Sequence, residues 1–134
     1  MKEIQELIFP EDLRYTEDHE WATSEGEVIG VGISDYAQDQ LGDIVFVELP
    51  QKGDHLEKGG EFGTVESVKA VAELFVPISG EIVTVNSVLD ASPELVNKDP
   101  YGEGWMVEIK PSAMEELETL MTQDAYVEYL KGKE

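Results

Sequence analysis

Residues 42–47 read GDIVFV, and residues 80–85 repeat the same order as GEIVTV. Each copy begins with a glycine and an acidic residue and continues into a β-branched run. The repeat predicts two half-domains with similar strands, folded against each other about a pseudo-two-fold axis, because neither half alone would bury its apolar side. Chance similarity between two β-rich strands is the alternative interpretation.

Short apolar runs surround the repeat, and Gly, Pro, Asn and Asp separate them. Runs of this length that are rich in Val, Ile and Phe predict strands. They lie at 28–33, 44–49, 62–65, 71–76, 82–88 and 105–109. The close spacing of the runs favours an antiparallel sandwich or barrel, with a mixed α+β domain as the alternative.

Helical signals occur at one point within the β-rich region and again after it. Ser34 is positioned to cap a short helix at 35–41, which Gly42 would end. Ser112 and Glu115 have the spacing of a capping box that opens a second helix, and a last helix is expected near 123–130. Their apolar residues are predicted to pack against the sheet: Met114, Leu117, Leu120, Met121, Tyr126, Tyr129 and Leu130.

The charge of the chain excludes several classes of partner. The 134 residues include 30 Asp and Glu but only 9 Lys and Arg, which gives a formal charge of −21. A phosphate backbone and an anionic membrane surface would both repel such a chain, so we expect neither nucleic acid nor membrane as a partner. A hydrophobic content of 41% supports a folded domain, and the charge favours partners with cationic surfaces.

The chain contains no cysteine, which excludes disulfides, zinc–thiolate sites and thiol catalysis. This composition fits a cytoplasmic protein. Glu3 and Glu6 interrupt the first ten residues, which therefore do not read as a secretory signal, and no transit peptide for a mitochondrial matrix location is seen. His19 and His55 lack metal-ligand spacing, so we expect no metal site, and no motif indicates a catalytic residue.

Lys69 is the one basic residue between Lys58 and Lys98. The surrounding pattern predicts a hairpin with Lys69 at or near its tip, and its neighbours Val68 and Ala70 would leave the amine unobstructed. A lysine in this setting suits covalent attachment of a cargo, because its flexible stem projects the group while the strands hold its root. The alternative is an ordinary surface lysine paired with a nearby glutamate.

The motif Glu66-Ser67-Val68-Lys69-Ala70, the 42–50 run and His19-Glu20-Trp21 resemble stretches of the H proteins of the glycine cleavage system. The resemblance covers about residues 13–130, and the motif Glu66-Ser67-Val68-Lys69-Ala70 is its most specific part. It places Lys69 on the family's lipoyl-lysine. The remaining matches are Pro77 with Gly80, Asn86, Leu95-Val96-Asn97, Asp99-Pro100-Tyr101-Gly102 and Gly104-Trp105.

The resemblance implies a mainly β fold, namely a lipoyl-domain-like β sandwich (a barrel-sandwich hybrid) of two pseudo-symmetric halves. The carrier domain would span 13–134 with C-terminal helices from about 112, and residues 1–12 would form an N-terminal extension. It also implies a non-enzymatic carrier with lipoate covalently attached to Lys69. The carrier would shuttle the aminomethyl group of glycine between other proteins.

The implied partners are the pyridoxal-phosphate glycine decarboxylase, the tetrahydrofolate-dependent aminomethyltransferase, dihydrolipoamide dehydrogenase and the enzymes that attach the lipoyl group. We expect a monomer. The resemblance further suggests that the loaded arm docks on the protein body, where Glu20 could pair with its ammonium group. His19, expected to support the motif, and Glu73 are the other candidates for arm docking.

Three other functions compete with this interpretation. An H-like carrier could serve lipoate relay or a sulfur-oxidising heterodisulfide-reductase-like complex. A biotin carrier would have methionine on both sides of the lysine, where Val68 and Ala70 stand here. A small carboxylate-dependent enzyme would turn over substrate as an isolated, unmodified chain.

Overall fold

The computed structural model describes residues 2–133 and contains two antiparallel sheets. The smaller sheet has the order β4-β6-β7, with β4 (Ile44–Glu48), β6 (Glu61–Ser67) and β7 (Val71–Phe75). The larger sheet consists of β1 (Arg14–Tyr15), β2 (Glu20–Glu25), β3 (Val28–Ile33), β5 (His55–Leu56), β8 (Gly80–Val85) and β9 (Val107–Pro111). Its order is β1-β2-β3-β9-β8-β5.

The helices are short and lie between or after the strands. They are α1 (Asp35–Leu41), α2 (Val88–Ala91), α3 (Leu95–Lys98) and α4 (Gln123–Lys131), with 3-10 turns at Ile4–Glu6 and Met114–Thr119. The predicted cap of α1 is confirmed, because Ser34 Oγ accepts a hydrogen bond from Ala37 N at 3.2 Å. Gly42 ends the helix at a φ of 82°, which favours glycine. No helix within residues 2–133 is long and apolar enough to cross a bilayer.

The main core contains residues from both sheets, which confirms the predicted mainly β sandwich. Val47 and Val65 form a cross-strand pair in the smaller sheet and are buried in the same cluster as Ile109 of the larger sheet. The two copies of the sequence repeat form β4 and β8, one strand in each sheet. The isoleucine of each copy, Ile44 or Ile82, is buried in the shared core.

A second cluster, rich in aromatic residues, joins the N-terminal segment to α4. Tyr15 and Tyr126 are fully buried and stack with ring centroids 4.6 Å apart. The segment before β1 is bound here, because Tyr15 Oη donates to Pro10 O at 2.8 Å and Tyr101 Oη donates to Ile8 O at 2.7 Å. Residues 2–12 therefore follow the surface of the body rather than extending away from it.

The capping box predicted at 112–115 is wrong. Ala113 precedes the turn, no side chain caps it, and Met114–Thr119 is a 3-10 helix rather than an α-helix. Tertiary contacts prevail over the local pattern, because the Glu116 carboxylate accepts hydrogen bonds from Ser79 N at 2.7 Å and from Ser79 Oγ at 3.2 Å. Met114 is also not a core residue, since it is 43% exposed.

The strand predicted at 82–88 is too long at its C-terminal end. It ends at Val85, and the exposed Val88 begins α2. Asn86 fixes this change of direction, because its Nδ2 donates to Glu103 O at 2.9 Å and to Trp105 O at 2.7 Å.

Candidate functional site

Lys69 lies in the tight turn that connects β6 to β7, as the sequence predicts. Glu66 and Val71 form the last cross-strand pair before the turn, and Ser67 N donates to Ala70 O at 2.8 Å. The buried Ser67 also shapes the turn through its hydroxyl, which accepts from Ala70 N at 3.1 Å and from Lys69 N at 3.3 Å. The serine of the motif is thus the residue that closes the turn.

The side chain of Lys69 is exposed and unpaired within the part of the chain that the structure describes. It forms no ion pair within 4.0 Å, and the one ion pair among residues 2–133 joins Lys131 to Glu128. Val68 beside it is 69% exposed. This geometry does not support the alternative of an ordinary lysine paired with Glu66 or Glu73.

The segment after α1 supports the hairpin tip. Val68 N donates to Asp43 O at 3.1 Å, so the turn is hydrogen-bonded to a neighbouring loop as well as within itself. Gly42 lies below Lys69: a β-carbon at Gly42 would be 3.6 Å from Lys69 Cε. The aliphatic part of the Lys69 side chain therefore packs over Gly42, where no side chain takes up the space.

Asn97 of α3 holds that supporting segment in place. Its Oδ1 accepts from Ile44 N at 2.8 Å, and its Nδ2 donates to Gly42 O and to Gln38 Oε1, both at 2.9 Å. A single amide therefore connects α1, the Gly42 loop and the start of β4. The sequence places Asn97 in a motif, but nothing in the sequence assigns it this role.

Glu20 lines a pocket of 280 Å³ at the other end of β7. Its side chain is only 1% exposed, and its carboxylate accepts from Thr16 Oγ1 at 2.6 Å and from Phe75 N at 3.3 Å. Burial raises the pKa of Glu20 to about 7, although the two hydrogen bonds oppose this shift. The other lining residues are Tyr15, Thr16, Glu17, Asp18, Lys58, Gly59, Phe75, Val76, Pro77, Thr119, Leu120 and Met121.

The pocket is separated from the hairpin tip by the length of β7. Four residues of a strand span roughly 14 Å, which is the distance along β7 from Val71 to Phe75. Glu73 lies between the two, exposed and paired with Thr64 of β6. Only an arm longer than the lysine side chain itself could extend from Lys69 to Glu20.

His19 does not line this pocket but belongs to the aromatic cluster. Its Nδ1 lies 2.9 Å from Tyr126 Oη, and the same hydroxyl lies 2.8 Å from Ser34 Oγ. Burial lowers the pKa of His19, and the charge of Lys133 adds to that effect. His19 also has a φ of 72°, so the side chain is turned toward α4 by an unusual backbone conformation.

The structure thus separates the predicted site residues into two regions and adds new ones. The motif Glu66-Ser67-Val68-Lys69-Ala70 forms the hairpin tip, whereas Glu20 lies in the pocket with Thr16, Lys58 and Phe75, which sequence reasoning missed. Lys58 and Phe75 lie far from Glu20 in the chain, so no local pattern could have connected them to it, and Thr16, four residues away, carries no motif of its own. Among residues 2–133, no group of three His, Asp or Glu side chains could hold a metal ion.

Comparisons with known proteins agree over nearly the whole chain. The family model described as "Glycine cleavage H-protein" matches residues 13–133. A glycine cleavage system H protein of Anaeromyxobacter sp. (strain K) is 56% identical over 128 residues, covering 96% of this chain and all of the relative. One from Bacteroides fragilis is 52% identical and covers 90% of this chain and 95% of the relative. The crystal structure of a glycine cleavage system H protein from Mycobacterium marinum superposes with a TM-score of 0.84 at 37% identity, over 92% of this chain and 99% of that one.

Proposed function

The chain belongs to the glycine cleavage H-protein family, and on that basis we propose that Lys69 carries lipoate as a covalent amide. The observation that carries the proposal is an exposed lysine, without an ion pair among the described residues, on a braced hairpin tip inside the family's motif. The chain has no cysteine, so any thiol or disulfide sulfur has to come from an attached group.

The family assignment fixes the general role of the chain. It is the lipoyl-carrying component of the glycine cleavage system and not an enzyme. The resemblance seen in the sequence is thereby confirmed. The alternatives of lipoate relay and of a heterodisulfide-reductase-like complex are not favoured, since the similar proteins are named as glycine cleavage system H proteins.

Attachment would make Lys69 Nζ the nucleophile. The neutral amine attacks the carbonyl carbon of an activated lipoyl donor, an acyl adenylate or a thioester, and a C–N bond forms. The bond from that carbon to the leaving oxygen or sulfur breaks, the leaving group keeps the electron pair, and the amine releases one proton. When bound, the group would supply the sulfur atoms that hold the aminomethyl cargo.

The hairpin suits a group that has to visit several enzymes. A mobile side chain on a rigid root raises the local concentration of cargo at each partner without new contacts. We propose that these partners are glycine decarboxylase, aminomethyltransferase and dihydrolipoamide dehydrogenase, with lipoyl-attaching enzymes acting first. The monomeric state and the cytoplasmic location remain predictions.

The Glu20 pocket is the proposed docking place for the loaded arm. Its carboxylate could bind a cationic amine, since charge-assisted hydrogen bonds of this kind are strong. A bound cation would also favour the ionised form of a group whose pKa lies at about 7. Glu73 lies on the path from Lys69, and His19 supports the motif from the aromatic cluster without lining the pocket.

Intact-mass measurement after expression in a lipoylation-competent host tests the proposal. The protein should gain the mass of one lipoyl group, and Lys69→Arg should gain none. Lys52→Arg, which changes an exposed lysine outside the Glu20 pocket, is the matched control and should be modified as fully as the parent. An unmodified parent, or an adduct that persists in Lys69→Arg, would refute the assignment of Lys69.

Reconstitution with glycine decarboxylase tests the pathway. The lipoylated protein should support glycine-dependent exchange of carbon dioxide, and the Lys69→Arg protein should not. A lipoylated protein that supports no exchange would count in favour of a carrier role in a different pathway.

A further inference from the structure

A second cavity, of 200 Å³, lies on the outer face of the larger sheet. Ile29 and Val31 of β3 are buried in the main core, and Gly30 and Gly32 alternate with them. Because successive residues of a strand point to opposite faces, both glycines lie on the face that is turned away from the core. The cavity is therefore on the opposite side of the core from the smaller sheet, which carries the Lys69 hairpin.

Three aromatic side chains and two carboxylates surround the cavity above a glycine. We use the name aromatic pocket for the site formed by Trp21, Glu25, Gly30, Tyr101, Trp105 and Glu108. The indole of Trp21 lies over Gly32, where a β-carbon would be 2.7 Å from Trp21 Cζ2, so a glycine is needed there. The rings of Trp21 and Tyr101 are inclined at 50° with centroids 6.1 Å apart.

Hydrogen bonds to the backbone hold the aromatic walls in place. Trp21 Nε1 donates to Pro100 O at 2.9 Å, and Tyr101 Oη donates to Ile8 O at 2.7 Å. The backbone carbonyl of Trp105 accepts from the side-chain amide that follows β8. Side chains that are ordered before binding lose little conformational entropy when a ligand arrives, so this arrangement favours binding.

The two carboxylates of the pocket belong to residues on either side of Gly30. Glu108 of β9 is paired with Gly30, and Glu25 folds back over it, because a β-carbon at Gly30 would overlap with Glu25 Oε1. Among residues 2–133, neither carboxylate forms an ion pair within 4.0 Å, even with Lys110, two positions beyond Glu108 on β9. Two negative charges thus stand beside three aromatic rings without a cation from the described part of the chain.

We propose that the aromatic pocket binds one arginine side chain of a partner protein. The carboxylates attract the positive charge, and a planar guanidinium group stacks on an aromatic ring while it donates hydrogen bonds to both carboxylates. The compact ammonium group of lysine has no such plane to stack. The inference goes beyond the proposed function, because it does not require acylation of Lys69.

The size of the pocket favours a side chain over a whole small molecule. Pockets for small molecules usually measure about 300–1,000 Å³ and bury most of the ligand. The aromatic pocket is smaller, Tyr101 and Trp105 are only half-buried, and Glu25 is exposed. A cation bound there keeps its other end outside the pocket, as the side chain of a docked protein does. A partner bound at this face would leave Lys69 accessible on the other side of the core.

Tryptophan fluorescence tests the site, because Trp21 and Trp105 are the two tryptophans of the chain and both line the pocket. The probe is the peptide acetyl-Gly-Ser-Arg-Ser-Gly-amide, titrated at constant ionic strength. In the matched peptide, citrulline replaces the charged guanidinium with a neutral urea of similar shape. The arginine peptide should give a saturable change with a Kd of about 1 mM, and the citrulline peptide should give none.

Charge variants locate the binding. Glu25→Gln/Glu108→Gln should raise the Kd of the arginine peptide by about tenfold, since it removes both carboxylates of the pocket. Glu57→Gln/Glu61→Gln is the matched control, because it removes two exposed carboxylates outside the pocket, and it should keep the parental Kd. Circular dichroism should show that every variant is folded.

The proposal is overturned if the arginine peptide gives no saturable change, if the citrulline or a matched lysine peptide binds equally well, or if the pocket variant keeps the parental Kd. Free L-arginine that binds more tightly than the peptide would identify a small-molecule site and overturn the assignment to a partner protein. Lys69→Arg should bind the peptide with the parental Kd. A parent that binds the peptide but gains no lipoyl group would refute the proposed function and leave this inference standing.

Discussion

Glu20 combines deep burial with an ionisable group, so its effect on stability depends on pH. Its pKa rises from the ordinary 4.5 to about 7, and the folded protein therefore holds that proton more tightly than the unfolded chain does. The resulting stabilisation is fully present below pH 4.5, the pKa of Glu20 in the unfolded chain. It is lost as the pH rises through about 7, the pKa of Glu20 in the folded protein. Above that pH, the buried and ionised Glu20 carboxylate lowers the free energy of unfolding.

Glu20→Gln should remove this pH dependence. The parent's free energy of unfolding relative to the variant should fall by about 3 kcal/mol between roughly pH 4 and pH 8. Urea unfolding of both proteins across that range measures the difference. Glu17→Gln is the control, because it removes one carboxyl group from the same loop. If the difference in free energy of unfolding between the parent and Glu20→Gln does not change with pH, the prediction is contradicted.

Asn97 holds the Gly42 loop that lies against the Lys69 turn. Asn97→Ala removes three hydrogen bonds and leaves Ile44 N–H without its partner, which should cost about 2 kcal/mol. Hydrogen exchange should show faster exchange at Ile44 and Val68, because the loop that holds the turn is loosened. If the Val68 amide exchanges no faster in the variant, the hydrogen bonds within the turn are sufficient to keep it in place. Exposed Asp90→Ala, on the neighbouring helix α2, is a suitable control.

At the scale of the element, α1 and α4 are capped in the same way but differ in what the cap touches. Ser34 accepts from Ala37 N and also contacts Tyr126 Oη in the buried cluster, whereas exposed Thr122 only accepts from Ala125 N at 3.3 Å. Thr122→Ala should cost about 1 kcal/mol, the usual value of a cap. Ser34→Ala should cost about 1 kcal/mol more, since it also leaves Tyr126 with one fewer partner. Equal losses in thermal unfolding would disprove the added contribution.

The elements also show where local sequence carries the information. Sequence reasoning identified the strands predicted at 28–33, 44–49 and 71–76. Their β-branched residues favour a strand, and neighbouring strands pack against them in the fold. β1 and β5 have two residues each, too few for any periodicity, and they exist because a neighbouring strand pairs with them. The capping box predicted at Ser112 does not form, and Glu116 nearby accepts a hydrogen bond from Ser79, a residue 37 positions away in the chain.

The candidate site divides in the same manner. Lys69 and its turn are contiguous in the chain, so a motif could identify them. The Glu20 pocket is assembled from β2, β7 and the Thr119–Met121 region, and the pKa of Glu20 depends on a burial that only the folded chain creates. The sequence could indicate Glu20 as a site residue only through the resemblance to the H-protein family.

At the scale of the whole molecule, the charge of −21 should govern how fast the carrier meets its partners. Long-range attraction to cationic surfaces increases association rates, and salt screens it. Stopped-flow association with the glycine cleavage enzymes should slow by roughly tenfold from low to high ionic strength. Sucrose of equal osmolality is the control and should not reproduce the effect. Rates independent of salt would contradict electrostatic steering.

The larger sheet ends on both sides in strands of only two residues, β1 and β5. Such edges offer another chain very few free backbone groups to pair with. The edge strands of the smaller sheet, β4 and β7, have five residues each, so there the mutual repulsion between chains of charge −21 has to oppose β-pairing. A carrier that is loaded and unloaded in each cycle therefore offers a second copy only the edges of the smaller sheet to pair with, and its charge works against that contact.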